Sequence, residues 1–517
     1  MRKYIFLFVT LCCFSLKLFS QTVGITDFMR LNPYSGKNNP ACFMPYNVYV
    51  GIPAISNMNF NVYNSGLHFN KFIKRDKQGK IIGFTPNRFV NSLSKNNWLN
   101  TDVNLEMLGF GFRMGKSFFS LSYQFKMEER FRYSKDLFRF IFQGNLAQDS
   151  KGNYLYTEAT PAVLEISPNL NIYQEIGIGF QRQIKNNLYI GVRPKILFGL
   201  INFHTDNFQA KIWTNPDDFT IYGNYNVAMK AASVIPFYKT ENGEIILNTE
   251  SFFDYRGLAR HIFSKNLGFA IDLGAVYRIN QQIRVSASVT DLGFIRWKGT
   301  PLQMGVKSMD VEWKEFSGFT SEQIMNFIRN GFGFNFDSLI NTVNNNLYLE
   351  PAKNYSTSLT SKVMLDCYFD LTPSNRFIVQ GKGYILGKNF LPQLTLAYNG
   401  TFFNILDVVV SYSMMKKSFT NLGVGLGVRI GPLHLYTGTD NVFAAVNLLN
   451  TKKINATFGL LLDFPVQSKV KEPVLKSMFK YYDDKQEKGK TQKSEKQEKK
   501  PKQKTLESIE STDNKEL

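Results

Sequence analysis

Outside its first twenty residues, the sequence has no apolar run long enough to cross a membrane as a helix, since such a helix needs about 20 apolar residues. Cysteine is also scarce, with 4 residues in 517. Cys12 and Cys13 lie in the N-terminal apolar stretch, which leaves only Cys42 and Cys367, too few for a disulfide framework or a zinc site. We expect these two to be unpaired buried thiols, and a single disulfide between them is the alternative.

Motifs for catalysis and cofactor binding are missing as well. The histidines, His68, His204, His261 and His434, are dispersed, and none has the two-histidine spacing of a metal site. No Gly-x-Ser-x-Gly motif is present. The Gly-x-Gly pairs alternate with apolar residues as in strands, which does not fit a phosphate-binding loop. The sequence therefore predicts no cofactor, no metal and no enzymatic activity, although a catalytic group assembled from distant strands would leave no such motif.

The N-terminus has the composition of a secretory signal peptide. Two basic residues at positions 2–3 precede the apolar residues 4–14, and the small residue Ser20 lies where signal peptidase would cut. We therefore expect residues 1–20 to be removed and the protein to be exported. Lipidation at Cys12 is the weaker alternative, because a leucine occupies the preceding position, where a small residue is needed.

The rest of the chain alternates apolar and polar residues with a period of two. In residues 283–290, Ile-Arg-Val-Ser-Ala-Ser-Val-Thr, the apolar side chains share one parity, as in a strand with a different environment on each face. In residues 422–430 apolar residues alternate with glycines and an arginine, a face that suits a wet lumen better than a dry sandwich core. The same parity argument predicts four lumen-facing residues: Asp272, Arg278, Arg284 and Arg429.

Turn-forming residues and longer connections alternate along the chain, as in outer-membrane barrels with short periplasmic turns and long outer loops. The predicted short turns are Gly115-Lys116, Lys185-Asn186-Asn187, Asn280-Gln281, Pro373-Ser374-Asn375, Asn399-Gly400-Thr401 and Gly431-Pro432. The predicted outer connections are residues 129–170, 204–266 and 297–358, with briefer ones near 387–390, 415–418 and 441–452. Loop helices are predicted at Asn87–Leu99, Ser134–Leu146, Ser321–Ile328 and Asp337–Val343. The predicted fold is all-β, a transmembrane antiparallel β-barrel of about 14 strands with short helices in the extracellular loops.

The chain divides into a signal peptide and three further segments. Residues 21–57 are punctuated by Asn39, Pro40 and Pro53, and we expect this segment either to plug the lumen or to pack beneath the barrel. Residues 58–464 are predicted to form the barrel. Residues 465–517 are rich in Lys, Glu and Gln, which predicts a disordered periplasmic tail able to contact a periplasmic protein.

The formal net charge of +20 would ordinarily suggest a nucleic-acid partner. An exported protein has no ordinary access to one, so we predict no nucleic acid. Basic residues near the outer rim are expected instead to bind outer-membrane lipid, through lipopolysaccharide phosphates. The inward arginines would bias a lumen toward anions.

Several short motifs resemble an uncharacterised family of outer-membrane barrels from Bacteroidota. They are Asn39-Pro40-Ala41 followed by Gly51-Ile52-Pro53, residues 268–275 with residues 288–295, and Tyr436 with Asp440-Asn441. The resemblance covers nearly the whole mature chain. It also makes the protein similar to FadL-type, fatty-acid-transporter-like barrels and to PorP/SprF-like membrane proteins of type IX secretion. No functional residue is carried over from these families.

Two functions follow as expectations. In the first, the barrel is a channel or transporter for a hydrophobic or amphipathic small-molecule substrate, with residues 21–57 as its plug. In the second, it is a non-transporting anchor or assembly component of a surface or type IX secretion apparatus. A greasy pocket beneath the loop helices would favour the first, and a lumen filled with polar side chains and lacking a lateral opening would favour the second.

Overall fold

A computed structural model describes residues 24–66, 73–78, 81–234, 237–239, 245–247, 265–299, 301–313, 347–386, 389–403, 405–415, 418–446 and 451–465. The predicted signal peptide, the C-terminal tail and the two predicted helices at 321–328 and 337–343 lie outside these residues. Within the described ranges, no helix combines the length and the apolar character needed to cross a bilayer.

The described chain is built almost entirely from strands. In chain order they are β1 (Tyr46–Gly51), β2 (Met58–Asn64), β3 (Ile73–Arg75), β4 (Ile81–Phe84), β5 (Asn96–Met114), β6 (Ser117–Ser134), β7 (Ala162–Leu164), β8 (Ile166–Lys185), β9 (Leu188–Thr214), β10 (Ile221–Ser233), β11 (Phe237–Lys239), β12 (Ile245–Leu247), β13 (Leu267–Arg278), β14 (Ile283–Trp297), β15 (Leu302–Trp313), β16 (Leu347–Pro351), β17 (Tyr355–Ser358), β18 (Ser361–Thr372), β19 (Asn375–Leu386), β20 (Asn389–Phe402), β21 (Leu406–Met415), β22 (Ser418–Ile430), β23 (Leu433–Thr439) and β24 (Lys453–Pro465). The helices are α1 (Pro86–Ser92), α2 (Lys135–Gln143) and α3 (Val442–Val446), and two 3-10 helices span Ile25–Phe28 and Pro33–Gly36.

Fifteen of these strands close into an antiparallel barrel of 14 strands, in which β1 and β2 together form one wall strand. Around the wall the order is β1 with β2, then β5, β6, β8, β9, β13, β14, β18 and β19 through β24. The last strand, β24, pairs with β1 and β2 and so closes the ring. The predicted fold class and strand number are confirmed.

The first wall strand is interrupted in its middle. β1 and β2 both pair with β24 on one side and β5 on the other, so the wall begins at Tyr46 rather than at the predicted residue 58. Residues 52–57 form the interruption, and backbone bonds from Leu460 N to Ile55 O (3.0 Å) and from Glu106 N to Asn57 O (2.9 Å) span it. The wall therefore stays hydrogen-bonded at the break.

Five of the six predicted short turns lie between consecutive wall strands at one end of the barrel, and in two of them Gly115 and Gly431 adopt a positive φ. The prediction at Asn399-Gly400-Thr401 is wrong, because β20 continues to Phe402. The side chains of Asn399 and Thr401 are buried and bond Asp407 on β21, which keeps both residues in the strand.

The opposite end carries the longer connections. α2 confirms the helix predicted at 134–146, with the Ser134 hydroxyl accepting from Leu137 N at 3.1 Å. The helix predicted at 87–99 is wrong in its second half, since α1 ends at Ser92 and residues from Asn96 pair with β6. β9 runs beyond the ring and pairs there with β10, which pairs in turn with β15. Two predicted loops thus contain an extension of the sheet.

The two parities of the wall strands meet different surroundings. On β14, the polar side chains of Ser286, Ser288 and Thr290 are buried inside the barrel. A β-bulge then reverses the parity of the strand, so that Leu292 and Phe294 face outward and are 53% and 46% exposed. Large apolar side chains are likewise exposed on most wall strands, as expected for a surface covered by lipid. The barrel thus has an apolar outside and a polar inside.

Candidate functional site

Residues 24–45 lie inside the barrel, and we call this segment the inner segment. Ile25 and Phe28 of its first 3-10 helix, and Met29 directly after that helix, are at most 1% exposed. They join a buried apolar cluster with wall residues from several strands, among them Val409 and Tyr436. Burial of these apolar side chains is what holds a segment with only two short 3-10 helices in the middle of a polar interior.

Glycines of the wall make room for the inner segment. A Cβ atom on Gly191 would lie 2.2 Å from the backbone carbonyl carbon of Pro40, and one on Gly274 would lie 2.1 Å from the Asn39 side-chain oxygen. Gly191 and Gly274 are cross-strand partners on β9 and β13. On the other side of the barrel, a Cβ on Gly425 would lie 2.6 Å from the Met29 methyl carbon. Wall and inner segment are therefore in van der Waals contact on both sides.

Polar contacts with Glu106 hold the inner segment beside the break in the first wall strand. The Tyr34 hydroxyl donates to Oε1 of Glu106, and Lys37 Nζ lies 2.5 Å from Oε2 of the same carboxylate. Glu106 is fully buried on β5. Its burial is compensated because two donors from the inner segment share its charge.

Towards the loop end of the barrel, side chains of both charges form a buried network. Asp291 on β14 is its centre, with Lys195 Nζ at 2.6 Å, Lys362 Nζ at 2.9 Å and Lys126 Nζ at 3.5 Å. Glu175 on β8 also contacts Lys126 at 2.6 Å. These groups come from five wall strands, so the network ties together a large arc of the barrel.

The network lines a cavity of about 140 Å³ on the loop side of the inner segment. Asp27 of the inner segment reaches into the cavity and accepts from Asn38 Nδ2 at 2.7 Å. Burial raises the pKa of Asp27 to about 6, against the lowering effects of Lys382 and Asn38. We call this cavity the charged chamber. Its polar lining is suited to water or to a solute that carries charged or polar groups.

The residues predicted to face the lumen have the following surroundings. Asp272 is fully buried, 2.8 Å from Lys195 Nζ and 3.3 Å from Arg193. Arg429 pairs with Asp463 at 2.7 Å. Arg284 stacks over the Tyr368 ring at 4.3 Å. Arg278 is partly buried near the turn end, where its Nε donates to Asn280 O at 3.1 Å.

The three residues predicted for the plug are separated. Asn39 and Pro40 lie in the inner segment against β9 and β13. Pro53 lies in the break between β1 and β2 and is exposed. The Asn and Pro residues indicate where the backbone bends. Whether a bend points into or out of the barrel depends on tertiary contacts, and these leave no local signal in the sequence.

Cys42 and Cys367 are both free thiols, so the disulfide alternative is not realised. Across the described ranges, no group of three or more His, Cys, Asp or Glu side chains is arranged to hold a metal ion. The loop helices α1 and α2 pack on each other through aromatic contacts. The ring centroids of Phe89 on α1 and Phe138 on α2 lie 5.2 Å apart. Their apolar side chains thus cover one another.

A closed antiparallel barrel with an apolar outer face, short turns at one end and a polar interior defines the class of this protein: it is an outer-membrane β-barrel. Residues 40–440 match a family of unknown function, DUF5723. The chain belongs to this family, and the predicted relationship to an uncharacterised barrel family is confirmed.

Solved structures that match this chain include two toluene transporters and a FadL homologue. The toluene transporter TbuX of Ralstonia pickettii has a TM-score of 0.39 at 8% identity, covering 87% of this chain and 100% of its own. A FadL homologue of Pseudomonas aeruginosa has a TM-score of 0.38 at 10% identity, covering 86% and 99%. The toluene transporter TodX of Pseudomonas putida has a TM-score of 0.36 at 8% identity, covering 86% and 98%. No curated protein matches the sequence.

Proposed function

We propose that the protein is a gated channel of the outer membrane, in which the inner segment is the plug and the charged chamber receives the solute. One observation carries this proposal: the interior is divided into a packed apolar segment and, on its loop side, a cavity of about 140 Å³ lined by charged groups. A protein that served only as a membrane anchor would gain nothing from such a chamber.

The chamber also narrows the class of solute. Its lining includes Lys126, Lys195, Lys362, Glu175 and Asp291. A purely hydrophobic molecule would have to desolvate these groups without replacing their hydrogen bonds, which costs free energy. We therefore propose an amphipathic or polar solute, whose charged group exchanges one partner of an ion pair for another. Of the two solute classes expected from the sequence, this proposal retains amphipathic solutes and excludes purely hydrophobic ones.

The second candidate is a non-transporting anchor or assembly component, as in the type IX secretion alternative. It is favoured by the degree to which the interior charges satisfy each other, as in Arg130 with Asp102 at 2.6 Å and Lys195 with Asp291 at 2.6 Å. In this case the ion pairs would serve only to fill and stiffen the barrel.

Removal of residues 24–44 distinguishes the two candidates. The deletion ends before Tyr46 and so spares β1, whereas a deletion of the whole segment predicted at 21–57 would remove β1, which is one half of the first wall strand. In planar bilayers we expect the intact protein to be silent and the shortened protein to give stepwise channel openings, because the apolar cluster that closes the interior is lost.

The matched control replaces residues 24–44 by a Gly/Ser sequence of equal length, which should also conduct because it has no apolar stripe to bury. Folding of each variant is checked by its heat-dependent migration in gel electrophoresis. If both folded variants are as silent as the intact protein, the interior is closed without the inner segment, and the anchor function replaces the channel.

A further inference from the structure

Three arginines converge on the turn side of the inner segment. Arg30 belongs to the inner segment, Arg284 to β14 and Arg376 to β19. We call them the arginine cluster. Arg30 and Arg376 are 9% and 6% exposed, and Arg284 is partly buried. The two wall arginines lie on either side of Tyr368 on β18, which is the cross-strand partner of Arg284. Their guanidinium carbons lie 4.3 Å (Arg284) and 5.6 Å (Arg376) from its ring centroid.

The three arginines differ in their partners. Arg30 donates from Nη1 to the carbonyl oxygen of Pro373. Asp370 forms an ion pair with Arg376, at 2.6 Å from its Nε. In the part of the chain that the structure describes, no carboxylate lies within ion-pair distance of Arg284. Burying a guanidinium against an aromatic ring without an anionic partner is costly, because the ring replaces only a part of the lost hydration.

A cavity of about 50 Å³ lies between the three arginines and the inner segment. Tyr368, Cys42 and Phe43 are among the other residues that line it. Asp27 also lines it, but that carboxylate accepts from Asn38 and faces Lys382 at 3.9 Å, so its charge is shared with another cation. The volume is sufficient for one small anion.

We infer that this cavity is a binding site for an oxyanion, a phosphate or a carboxylate group, held by Arg284, Arg376 and Arg30. Guanidinium groups present their N–H donors as a planar fork that matches two oxygens of such an anion, which a spherical halide cannot use as well. Because Arg30 lies on the inner segment and the other two arginines on the wall, a bound oxyanion joins the inner segment to the wall. The site is a property of the closed barrel and does not depend on whether a solute passes through it.

Calorimetric titration of the full-length protein in detergent micelles tests this site directly. The probes are inorganic phosphate and acetate, with chloride as the anion of wrong geometry, all at constant ionic strength. We expect one saturable site for phosphate, acetate or both, and none for chloride. A protein that binds neither oxyanion, or binds chloride equally well, overturns the inference. Binding of phosphate alone or of acetate alone identifies which oxyanion the site takes.

Arg284→Gln is the informative variant, since it removes one fork and leaves the Arg376–Asp370 ion pair intact. Its affinity for the bound oxyanion should fall at least about tenfold, corresponding to about 1.4 kcal/mol. Arg182→Gln is the matched control, because Arg182 on β8 is exposed near the same end and its loss changes the net charge equally. Equal affinities for the two variants contradict the assignment.

A third variant, Arg284→Lys, keeps the charge without the fork and should bind with intermediate affinity. It also provides the test if Arg284→Gln does not fold. Calorimetry separates this inference from the channel proposal, because oxyanion binding can be present in a protein that never conducts, and a conducting barrel can lack the site.

Discussion

Gly191→Ala is expected to drive the inner segment away from the barrel wall. The added Cβ would lie 2.2 Å from both the carbonyl carbon and the carbonyl oxygen of Pro40, and 2.5 Å from Ala41 N. All three are backbone atoms, so no side-chain rotation relieves the clash. The same stretch is held by Asn39, whose side-chain oxygen accepts from Ala41 N at 2.9 Å. Such overpacking costs about 1–3 kcal/mol.

Two measurements report this change. The free energy of unfolding in urea, with the protein in lipid vesicles, should fall by that amount. In planar bilayers the variant should open where the intact protein is silent, because the closed state loses free energy that the open state keeps. The opening should be rarer than in the protein that lacks residues 24–44, since the apolar cluster around Met29 remains.

Gly381→Ala is the matched control. Gly381 lies in the wall strand β19, and a Cβ there would meet only the Leu365 carbonyl oxygen, at 3.8 Å, which is ordinary contact. This variant should keep the conductance and stability of the parent protein. If Gly191→Ala behaves like Gly381→Ala in both measurements, the inner segment does not press on β9 and is not the plug.

The wall of the barrel could be predicted because its rules are local. The parity of residues 283–290 shows which side chains share a face. Gly115 and Gly431 mark turns because glycine adopts a positive φ at little cost. The turn predicted at Asn399-Gly400-Thr401 fails for a non-local reason. Asp407 on the next strand supplies partners for the polar side chains and holds them inside the barrel.

The interior could not be predicted, because it depends on how far strands are shifted against one another around the ring. Lys126, Lys195 and Lys362 are widely separated in sequence, yet they contact one carboxylate. Nothing in the sequence surrounding each lysine indicates that contact. The arginine cluster is similar: Arg284 was predicted to face the lumen, but Arg30 and Arg376 join it only through the barrel register. A local pattern gives the face of a residue but not its partner.

Asp291→Asn should be among the most destabilising single substitutions in the barrel. Asp291 occupies a β-bulge between β13 and β14, with a φ of 58°, a conformation that aspartate and asparagine both tolerate. The substitution therefore preserves the backbone and removes only the charge. Lys126 and Lys195 keep Glu175, but Lys362 loses the ion pair that it makes at 2.9 Å. Breaking a fully buried ion pair from one side costs about 3–5 kcal/mol. Asp291 is 4% exposed but Lys362 is 25% exposed, so we expect a loss of about 2–3 kcal/mol, near the lower end of that range.

Urea unfolding in lipid vesicles measures this loss, and two further variants isolate its cause. Asp206→Asn breaks the pair with Lys230, whose side chains are 32% and 26% exposed, and should cost no more than about 1 kcal/mol. The double variant Asp291→Asn with Lys362→Met also removes the unpaired charge of Lys362. It should recover a part of the loss because no uncompensated ammonium group remains in the interior.

If Asp291→Asn costs no more than Asp206→Asn, water in the charged chamber screens the network, and the ion pairs do not stabilise the barrel. If the double variant is less stable than Asp291→Asn alone, Lys362 contributes through its packing rather than through its charge.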